Sequence, residues 1–292
     1  MANTVDLHAA KLFDVKNYVC VVTGGGTGIG LMSAQALAAN GAKVYITGRR
    51  LEALEKAAKS HHPHQGGQII PLGPCDVTSK EDLGKLCDEL ASKEKHINLL
   101  VCAAGISGAK AEPTEEEATS LKDKLWNNET FEIWNQTYNT DVTSVYFTTV
   151  ALLPLLQAGT ESHGHLSASV IVISSMSGIM RDSQGHFSYN AAKGGTVHLT
   201  KLMSAEFQKV RIRVNSIAPG YFPSEMTAKE SDDRMKSQLP DEKIQEKGHV
   251  PMGRAGHDEE MAQAVLFLTK CAYVNGEIIA VDGGVLNVVS GR

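Results

Sequence analysis

Two patterns of apolar positions alternate along this chain: short runs of consecutive apolar residues, and longer stretches in which apolar residues recur at helical spacing. The first pattern predicts buried strands and the second predicts amphipathic helices. Strands that are apolar on both faces and separated by helices are typical of a parallel sheet covered on both sides. We therefore predict a single α/β domain over residues 1–292, with a doubly wound sheet of seven strands at 17–24, 42–48, 67–77, 97–105, 168–178, 211–220 and 276–284.

Two polar segments interrupt this alternation. Residues 106–128 are acidic and long for a strand-to-helix connection, and residues 221–250 are charged and contain Pro223 and Pro240. Segments of this length in a compact domain are usually lids or surface insertions. We interpret 106–128 as a solvated insertion and 221–250 as a substrate lid.

Composition excludes several classes of function. The net charge of −5 and the pI near 6.1 argue against nucleic acid or an anionic membrane as the main partner. No apolar run reaches the roughly 18 residues of a spanning helix, and we read no secretory signal at the N-terminus. The cysteines are scattered without CxxC spacing, which predicts reduced thiols, no metal site and a cytoplasmic location. The histidines at 61–64, His163 and His165 are interpreted as solvated loop residues.

A glycine-rich turn, TGGGTGIG at 23–30, lies between the first predicted strand and the first predicted helix. Glycines permit a tight turn there and let backbone N–H groups at the helix N-terminus approach a pyrophosphate. In this position the turn predicts a dinucleotide site of the Rossmann type, formed by Gly24, Thr27, Gly28, Ile29 and Gly30.

The residue type at the end of the second strand selects the dinucleotide. An acidic residue there would hydrogen-bond the ribose 2′-hydroxyl and repel a 2′-phosphate. Gly48, Arg49 and Arg50 stand there instead, and a guanidinium can bind a phosphate through two parallel hydrogen bonds. This predicts NADP(H), with Arg49 as the main contact. The alternative is that both arginines are solvated charges at a helix start.

Tyr189 and Lys193 in FSYNAAKGG are four residues apart, so they share one face of a predicted helix. A nearby ammonium favours the phenolate and lowers the pKa of a phenol. The pair therefore suggests proton transfer coupled to hydride transfer. Gly194 and Gly195 follow it, and we interpret them as positions where a neighbouring element packs too closely for side chains.

These motifs together resemble the classical branch of the short-chain dehydrogenase/reductase family: T-G-x-x-x-G-x-G at 23–30, Ser-x-x-Gly at 175–178, and Tyr-x-x-x-Lys at 189–193. The resemblance covers about residues 15–290, and NSIAPGYFPSEMT at 215–227 is similar to fungal carbonyl reductases. It implies a homo-oligomer, commonly a tetramer. Residues 142–156 and 191–203 are apolar or small on more than one face, as buried helices require.

The resemblance implies a role for each catalytic residue. Tyr189 would donate a proton to the carbonyl oxygen, and Lys193 would also hold the nicotinamide ribose. Ser175 would orient the carbonyl, with Ser174 as the alternative. The family's helix-bending asparagine aligns with Asp141, or with Asn139 in another register. A carboxylate at 141 would raise the pKa of the Lys193 ammonium and weaken its pull on the phenol.

The resemblance also implies further cofactor contacts. An Asp after strand three holds the adenine amino group. The strand-four Asn-Asn-Ala-Gly motif is VCAAG here, so Cys102 and Ala103 replace the asparagines. A Pro-Gly segment lies under the nicotinamide, and Ser224 stands where a threonine is usual. The implied contacts are Asp76, Val77, Ala104, Gly105, Pro219, Gly220, Phe222 and Ser224, besides Tyr189 and Lys193.

The sequence thus predicts an NADP(H)-dependent oxidoreductase that reduces a ketone to a secondary alcohol, or catalyses the reverse. Two alternatives remain at this point. One is an NADP(H)-binding sensor or scaffold with weak catalysis, favoured by the changes at 102, 103 and 141. The other is an isomerase or dehydratase that uses the bound cofactor. The expected partner is a small carbonyl or alcohol substrate.

Overall fold

Seven parallel strands form one sheet in a computed structural model that describes residues 3–162 and 167–289. The strand order is β3-β2-β1-β4-β5-β6-β7, as predicted for a doubly wound sheet. The strands are β1 Val19–Thr23, β2 Lys43–Thr47, β3 Gln68–Pro71, β4 Leu99–Cys102, β5 Ser169–Ile173, β6 Arg213–Pro219 and β7 Ile278–Val281.

Helices connect the strands and cover both faces of the sheet. Thr4–Leu7, Met176–Gly178 and Gln208–Val210 form short 3-10 turns, and Asn139–Thr143 forms a π-helical turn. The α-helices are α1 Ala9–Leu12, α2 Gly28–Ala39, α3 Leu51–His61, α4 Lys80–Lys93, α5 Ala118–Asn128, α6 Phe131–Tyr138, α7 Ser144–Ser162, α8 Phe187–Phe207, α9 Glu225–Ala228, α10 Asp241–Gln245, α11 Asp258–Lys270 and α12 Val285–Val288.

Strand residues alternate between two hydrophobic cores. Cys20 and Val22 pack into the core that α2 and α11 cover. Val19 and Val21 point to the opposite face, where α4, α7 and α8 pack. All five β1 residues are buried because each face of the strand meets a core. This two-sided burial explains the continuous apolar runs that predicted the sheet.

The strand order fixes where a ligand can bind. The chain crosses from β1 to β2 on one side and later to β4 on the other, so β1 is flanked by β2 and β4. Connections leaving in opposite directions open a crevice at the carboxyl ends of these strands. The glycine-rich turn after β1 lies at that edge.

The two polar segments are more regular than the sequence predicted. The second half of 106–128 forms α5, and none of the α5 residues is buried, whereas Ala111 in the first half is buried. Within 221–250 the chain forms α9 and α10.

The helical stretch Phe131–Ser162 joins α6, the π-helical turn and α7. This stretch is long enough to cross a membrane, and its mean hydropathy reaches 1.4 over an 18-residue window. The sequence prediction rested on uninterrupted apolar runs and therefore did not identify it as a candidate. Core helices of globular proteins meet the same criterion. Here α7 contacts α4, β4 and β5, and this packing explains its apolar composition.

Candidate active site

An open cleft of about 1290 Å³ lies along the carboxyl ends of β1, β4, β5 and β6. It brings together nearly every residue that the sequence predicted for the site. Among those lining it are Gly24, Thr27, Gly28, Ile29, Gly30, Arg49, Asp76, Val77, Ala104, Gly105, Ser175, Tyr189, Lys193, Pro219, Gly220, Phe222 and Ser224. Asp141 does not line the cleft but lies directly behind it.

The glycine-rich turn fits a dinucleotide pyrophosphate. Gly24 has φ +64°, and a Cβ added at Gly30 would lie 2.2 Å from the Gly24 carbonyl oxygen, so the turn can be this tight only without side chains. α2 begins at Gly28, immediately after Thr27. The first N–H groups of a helix have no partner within it and can bind an anion.

The two arginines at the start of α3 have different surroundings. Arg50 forms a bidentate pair with Glu225 of α9, with nitrogen–oxygen distances of 3.2 and 2.6 Å. Arg49 is exposed, lines the cleft, and makes no hydrogen bond or ion pair with any part of the chain that the structure describes. Of the two guanidinium groups, Arg49 is therefore the one available to a ligand.

The adenosine end of the cleft is fixed by polar side chains. Asp76 Oδ1 accepts hydrogen bonds from the Thr78 N–H and hydroxyl, at 2.9 and 2.7 Å, and these lower the pKa of Asp76. The Thr23 hydroxyl compensates for the two asparagines that this chain lacks at the end of β4. It accepts the Ala103 and Ala104 N–H groups at 3.2 and 3.4 Å. The turn after β4 is thus held without side-chain amides.

Ser175, not Ser174, faces Tyr189. Ser174 Oγ donates to the Ile217 carbonyl at 3.1 Å and accepts from Ser216 Oγ at 2.6 Å, so β6 engages it fully. Ser175 caps the Met176–Gly178 turn by accepting the Ser177 N–H. Its hydroxyl also lies near the Tyr189 phenol and lowers the pKa of that phenol.

Lys193 reaches the site from α8 with its side chain only 5% exposed. Its Nζ donates to the Ile173 carbonyl at 3.1 Å, lies 3.4 Å from Asp141 Oδ2, and lies 5.6 Å from the centroid of the Tyr189 ring. The shared helix face predicted for Tyr189 and Lys193 therefore places ammonium and phenol side by side.

Asp141 occupies the position that the sequence alignment gave it. Its side chain is fully buried, and Oδ1 accepts the Ile106 N–H at 2.8 Å while Oδ2 faces Lys193. Asn139 is exposed, and no contact with Lys193 is recorded for it among the described residues. The structure therefore brings Asp141 against the lysine.

The π-helical turn Asn139–Thr143 holds Asp141 in this position. Such turns are usually single insertions within α-helices and are frequent at functional sites. The Asp141 carbonyl accepts the Thr196 hydroxyl of α8 at 2.9 Å. Both ends of Asp141 are thus tied to α8, and the local change in helical winding is stabilised by tertiary contacts.

Burial and charge act in different directions within this cluster. Burial raises the pKa of Tyr189; Lys193 and the Ser175 hydrogen bond oppose this, while Asp141 adds to it. For Lys193, burial lowers the pKa, but Asp141 and Tyr189 outweigh burial and the net shift is upward. Burial also raises the pKa of Asp141, against Lys193 and the Ile106 N–H. The carboxylate therefore opposes the lysine's action on the phenol.

Replacing Asp141 by asparagine is expected to make Tyr189 easier to ionise. Removing the carboxylate removes a cause that raises the pKa of Tyr189, while the amide oxygen can still accept the Ile106 N–H. The rising limb of the pH profile of alcohol oxidation should move to lower pH, and kcat at neutral pH should rise several-fold. Steady-state kinetics between pH 5 and pH 10 measures both.

Asp88→Asn on the exposed face of α4 is the matched control and should leave the profile in place. A profile that does not move in Asp141→Asn, in a protein with wild-type secondary structure and NADPH affinity, would contradict this electrostatic role.

The segment after β6 returns over the cleft. The Ser224 hydroxyl accepts the Thr227 N–H at 3.3 Å and thereby caps α9. A Cβ at Gly28 would lie 2.8 Å from the Ser224 Cβ, so this segment lies against the phosphate-binding turn. The Phe222 side chain is buried against Gly256 in the core, which leaves its backbone for any contact in the cleft.

The interpretation that the sheet or a partner helix packs closely on the glycine pair of α8 is not borne out within the chain. A Cβ at Gly194 or Gly195 would meet other atoms only at 3.4 Å or more, so neither is closely packed within the chain. The close approach occurs at Gly178, where a Cβ would lie 2.4 Å from the Lys193 carbonyl carbon. Gly178 therefore lets the turn after β5, and with it Ser175, rest directly on the α8 backbone.

His61 is also a correction, because it is not a solvated loop residue. It is the last residue of α3, and its Nε2 lies 2.6 Å from the Arg234 carbonyl while its Nδ1 lies 2.9 Å from the Gln35 amide. His163 and His165 lie outside the described residues. Within 3–162 and 167–289, no group of three histidine, cysteine or acidic side chains could hold a metal ion.

Sequence reasoning missed four residues of this region. Thr23 and Glu225 act through partners distant in sequence; Thr23 begins the T-G-x-x-x-G-x-G motif, but the motif does not reveal its contact with the turn after β4. Lys110 and Lys247 line the cleft beyond Tyr189, one from each of the two long polar segments. In the sequence, only the charged character of the two segments pointed to these lysines.

Comparisons with known proteins agree over nearly the whole chain. A family model described as enoyl-(acyl carrier protein) reductase matches residues 24–286. The short-chain dehydrogenase/reductase PhomF′ of Diaporthe leptostromiformis is 40% identical over 292 residues, covering 98% of this chain and 97% of the relative. The 3-oxoacyl-[acyl-carrier-protein] reductase FabG of Chlamydia trachomatis is 33% identical, covering 92% and 97%.

Among solved structures, the RhlG/NADP active-site complex of Pseudomonas aeruginosa superimposes with a TM-score of 0.75 at 30% identity. The match covers 94% of this chain and 98% of RhlG.

Proposed function

Since this chain belongs to the short-chain dehydrogenase/reductase family and is an NAD(P)-dependent oxidoreductase acting on CH–OH groups, we propose that it uses NADPH to reduce a ketone to a secondary alcohol. The observation that carries the proposal is the cluster of Ser175, Tyr189 and Lys193 at the end of the cleft away from Arg49. Their contacts suit proton delivery to a carbonyl oxygen.

Each residue of the cluster has one task in this proposal. Ser175 donates a hydrogen bond to the substrate carbonyl and orients it. Tyr189 donates its proton to the carbonyl oxygen as the alkoxide develops, and Lys193 stabilises the phenolate that remains. The bound nicotinamide supplies the hydride. Asp141 holds the Lys193 ammonium at 3.4 Å and so positions it between phenol and cofactor site.

The preference for NADPH rests on the free guanidinium of Arg49. The end of β2 carries no acidic residue that would repel a 2′-phosphate, and Arg50 is already paired with Glu225. The turn Gly24–Gly30 would hold the pyrophosphate, and Asp76 the adenine. The solved relative RhlG is described as an NADP complex, which is consistent with this assignment.

The remaining assignments are parts of the same proposal. Residues 221–250 act as the substrate lid. The ion pair between Glu225 of α9 and Arg50 at the start of α3 holds this segment against α3. The protein assembles as a homo-oligomer, a tetramer or dimer, through α7 and α8, whose exposed apolar side chains include Tyr146 and Leu202. It acts in the cytoplasm.

The proposal predicts NADPH consumption with a panel of ketones. Absorbance at 340 nm should fall with at least one ketone, and NADH at the same concentration should react more slowly. Binding of NADPH without turnover of any ketone would instead favour the sensor or scaffold alternative. A product with the substrate's own mass, or one lighter by water, would favour the isomerase or dehydratase. Product mass spectrometry separates these outcomes.

A further inference from the structure

Two lysines with only partly compensated positive charge line the substrate end of the cleft. Lys110 follows β4 on the first polar segment, and Lys247 follows α10 on the second. Lys110 pairs with Glu112 at 2.5 Å, but this carboxylate is 70% exposed and does not line the cleft. Lys247 makes no ion pair within the described residues. One carboxylate therefore faces two ammonium groups.

Lys247 is held in place by a platform of connected polar side chains. Its Nζ lies 4.6 Å from the centroid of the Tyr221 ring. The Tyr221 hydroxyl accepts the Gln184 amide at 2.8 Å and lies 3.0 Å from His249 Nε2. His249 Nδ1 in turn lies 2.8 Å from the Lys247 carbonyl. The ammonium group is thus positioned by four connected residues and is not a freely moving surface charge.

The segment that carries Lys110 is also fixed. The Ala111 N–H donates to the Gly185 carbonyl at 2.7 Å, directly beside Gln184. A Cβ at Gly185 would lie 1.9 Å from the Ala111 carbonyl, so the two segments are in close contact. Burial lowers the pKa of Lys247, the like charge of Lys110 acts in the same direction, and Glu112 opposes both. An anion between the two lysines would relieve this repulsion.

The cofactor does not account for these lysines. The groups proposed for its phosphates, Arg49 and the turn Gly24–Gly30, lie at the carboxyl ends of β2 and β1. Tyr221, on which Lys247 rests, directly follows Gly220 in the segment proposed to lie under the nicotinamide. In this proposal the lysines lie on the nicotinamide side of the cleft, where the rest of a substrate would extend.

We propose that Lys110 and Lys247 form an anion-binding subsite, and that the substrate is a ketone or secondary alcohol carrying a carboxylate or phosphate group. The inference rests on the proposed function, because it names the substrate class of that same site. Partly exposed charge pairs contribute modestly, so each lysine should change affinity about fivefold and the two together about 20-fold.

The test compares matched anionic and neutral substrates. One pair is 5-oxohexanoate and its methyl ester, which reports a carboxylate. The other is acetoacetyl-coenzyme A and acetoacetyl-N-acetylcysteamine, which reports a phosphate-bearing arm. Lys110→Gln and Lys247→Gln should each lower the anionic-to-neutral ratio of kcat/KM about fivefold in one of the pairs, mainly through KM. The responding pair identifies the source of the anion.

Lys243→Gln is the matched control, since Lys243 is an exposed lysine of α10 that does not line the cleft. It should leave both ratios unchanged. If reduction occurs and Lys110→Gln and Lys247→Gln also leave both ratios unchanged, the subsite is refuted while the proposed function stands.

Isothermal calorimetry with 5-oxohexanoate and with acetoacetyl-coenzyme A measures binding even where no hydride is transferred. Weaker binding of either anion to the lysine variants, without turnover of any ketone, would support the subsite and refute ketone reduction. Equal binding of both anions to wild type and variants, together with no turnover, would refute both.

Discussion

Replacing Tyr189 by phenylalanine is expected to lower kcat for ketone reduction by about 10²- to 10⁴-fold. The change removes the hydroxyl that delivers a proton to the carbonyl oxygen in the proposed mechanism. The ring that packs edge-on against His186, with centroids 6.4 Å apart, is retained. The loss should therefore appear in the chemical step and not in folding or in cofactor affinity.

Single-turnover kinetics with NADPH and the best ketone of the panel measures this loss directly. NADPH fluorescence should give an unchanged Kd, because phenylalanine preserves the shape of the cleft. Tyr273→Phe, at a tyrosine that is 99% exposed, is the control and should react like the wild type. A Tyr189→Phe variant within about tenfold of wild type would mean that another group supplies the proton.

Exchanging Arg49 for aspartate is expected to lower the NADPH-to-NADH ratio of kcat/KM by about 100-fold. A charge-assisted bidentate contact to a phosphate contributes about 1.5 to 3 kcal/mol, and the new carboxylate adds repulsion of the phosphate and a hydrogen bond to a ribose hydroxyl. Because Arg49 makes no hydrogen bond or ion pair within the described chain, the substitution breaks none.

Arg50→Gln provides the internal comparison. It loosens the pair with Glu225 and should raise KM for both cofactors in parallel, with little change in their ratio. An unchanged ratio in Arg49→Asp, or a larger change in Arg50→Gln, would transfer the phosphate contact to Arg50 and overturn the assignment.

The sequence predicted the sheet well because burial on both faces leaves a strong apolar signal. It placed strand ends less well. The run 168–178 was predicted as one strand, but β5 ends at Ile173 and Ser175 begins a 3-10 turn. Similarly, β3 ends at Pro71, which cannot donate a ladder hydrogen bond. Apolar composition continues past both points, whereas strand pairing does not.

The sequence also predicted which single residues line the cleft, but it predicted their contacts less well. Tyr189 and Lys193 share a helix face by spacing alone. The Arg50–Glu225 pair joins residues 175 positions apart, and the Thr23 hydroxyl that replaces two asparagines belongs to another strand. Such contacts depend on tertiary packing. Distinguishing the role of Ser174 from that of Ser175 likewise required the position of β6.

The π-helical turn at Asn139–Thr143 has a consequence for the whole stretch Phe131–Ser162. An extra residue in an α-helix rotates everything after it by about 100° relative to everything before it. α6 contacts α8, whereas α7 contacts α4, β4 and β5. The same helical stretch therefore packs against two different sets of elements, and a uniformly wound helix would orient its side chains toward them differently. Deleting one residue here would preserve the helix and its apolar composition, but it would turn the Asp141 carboxylate away from Lys193.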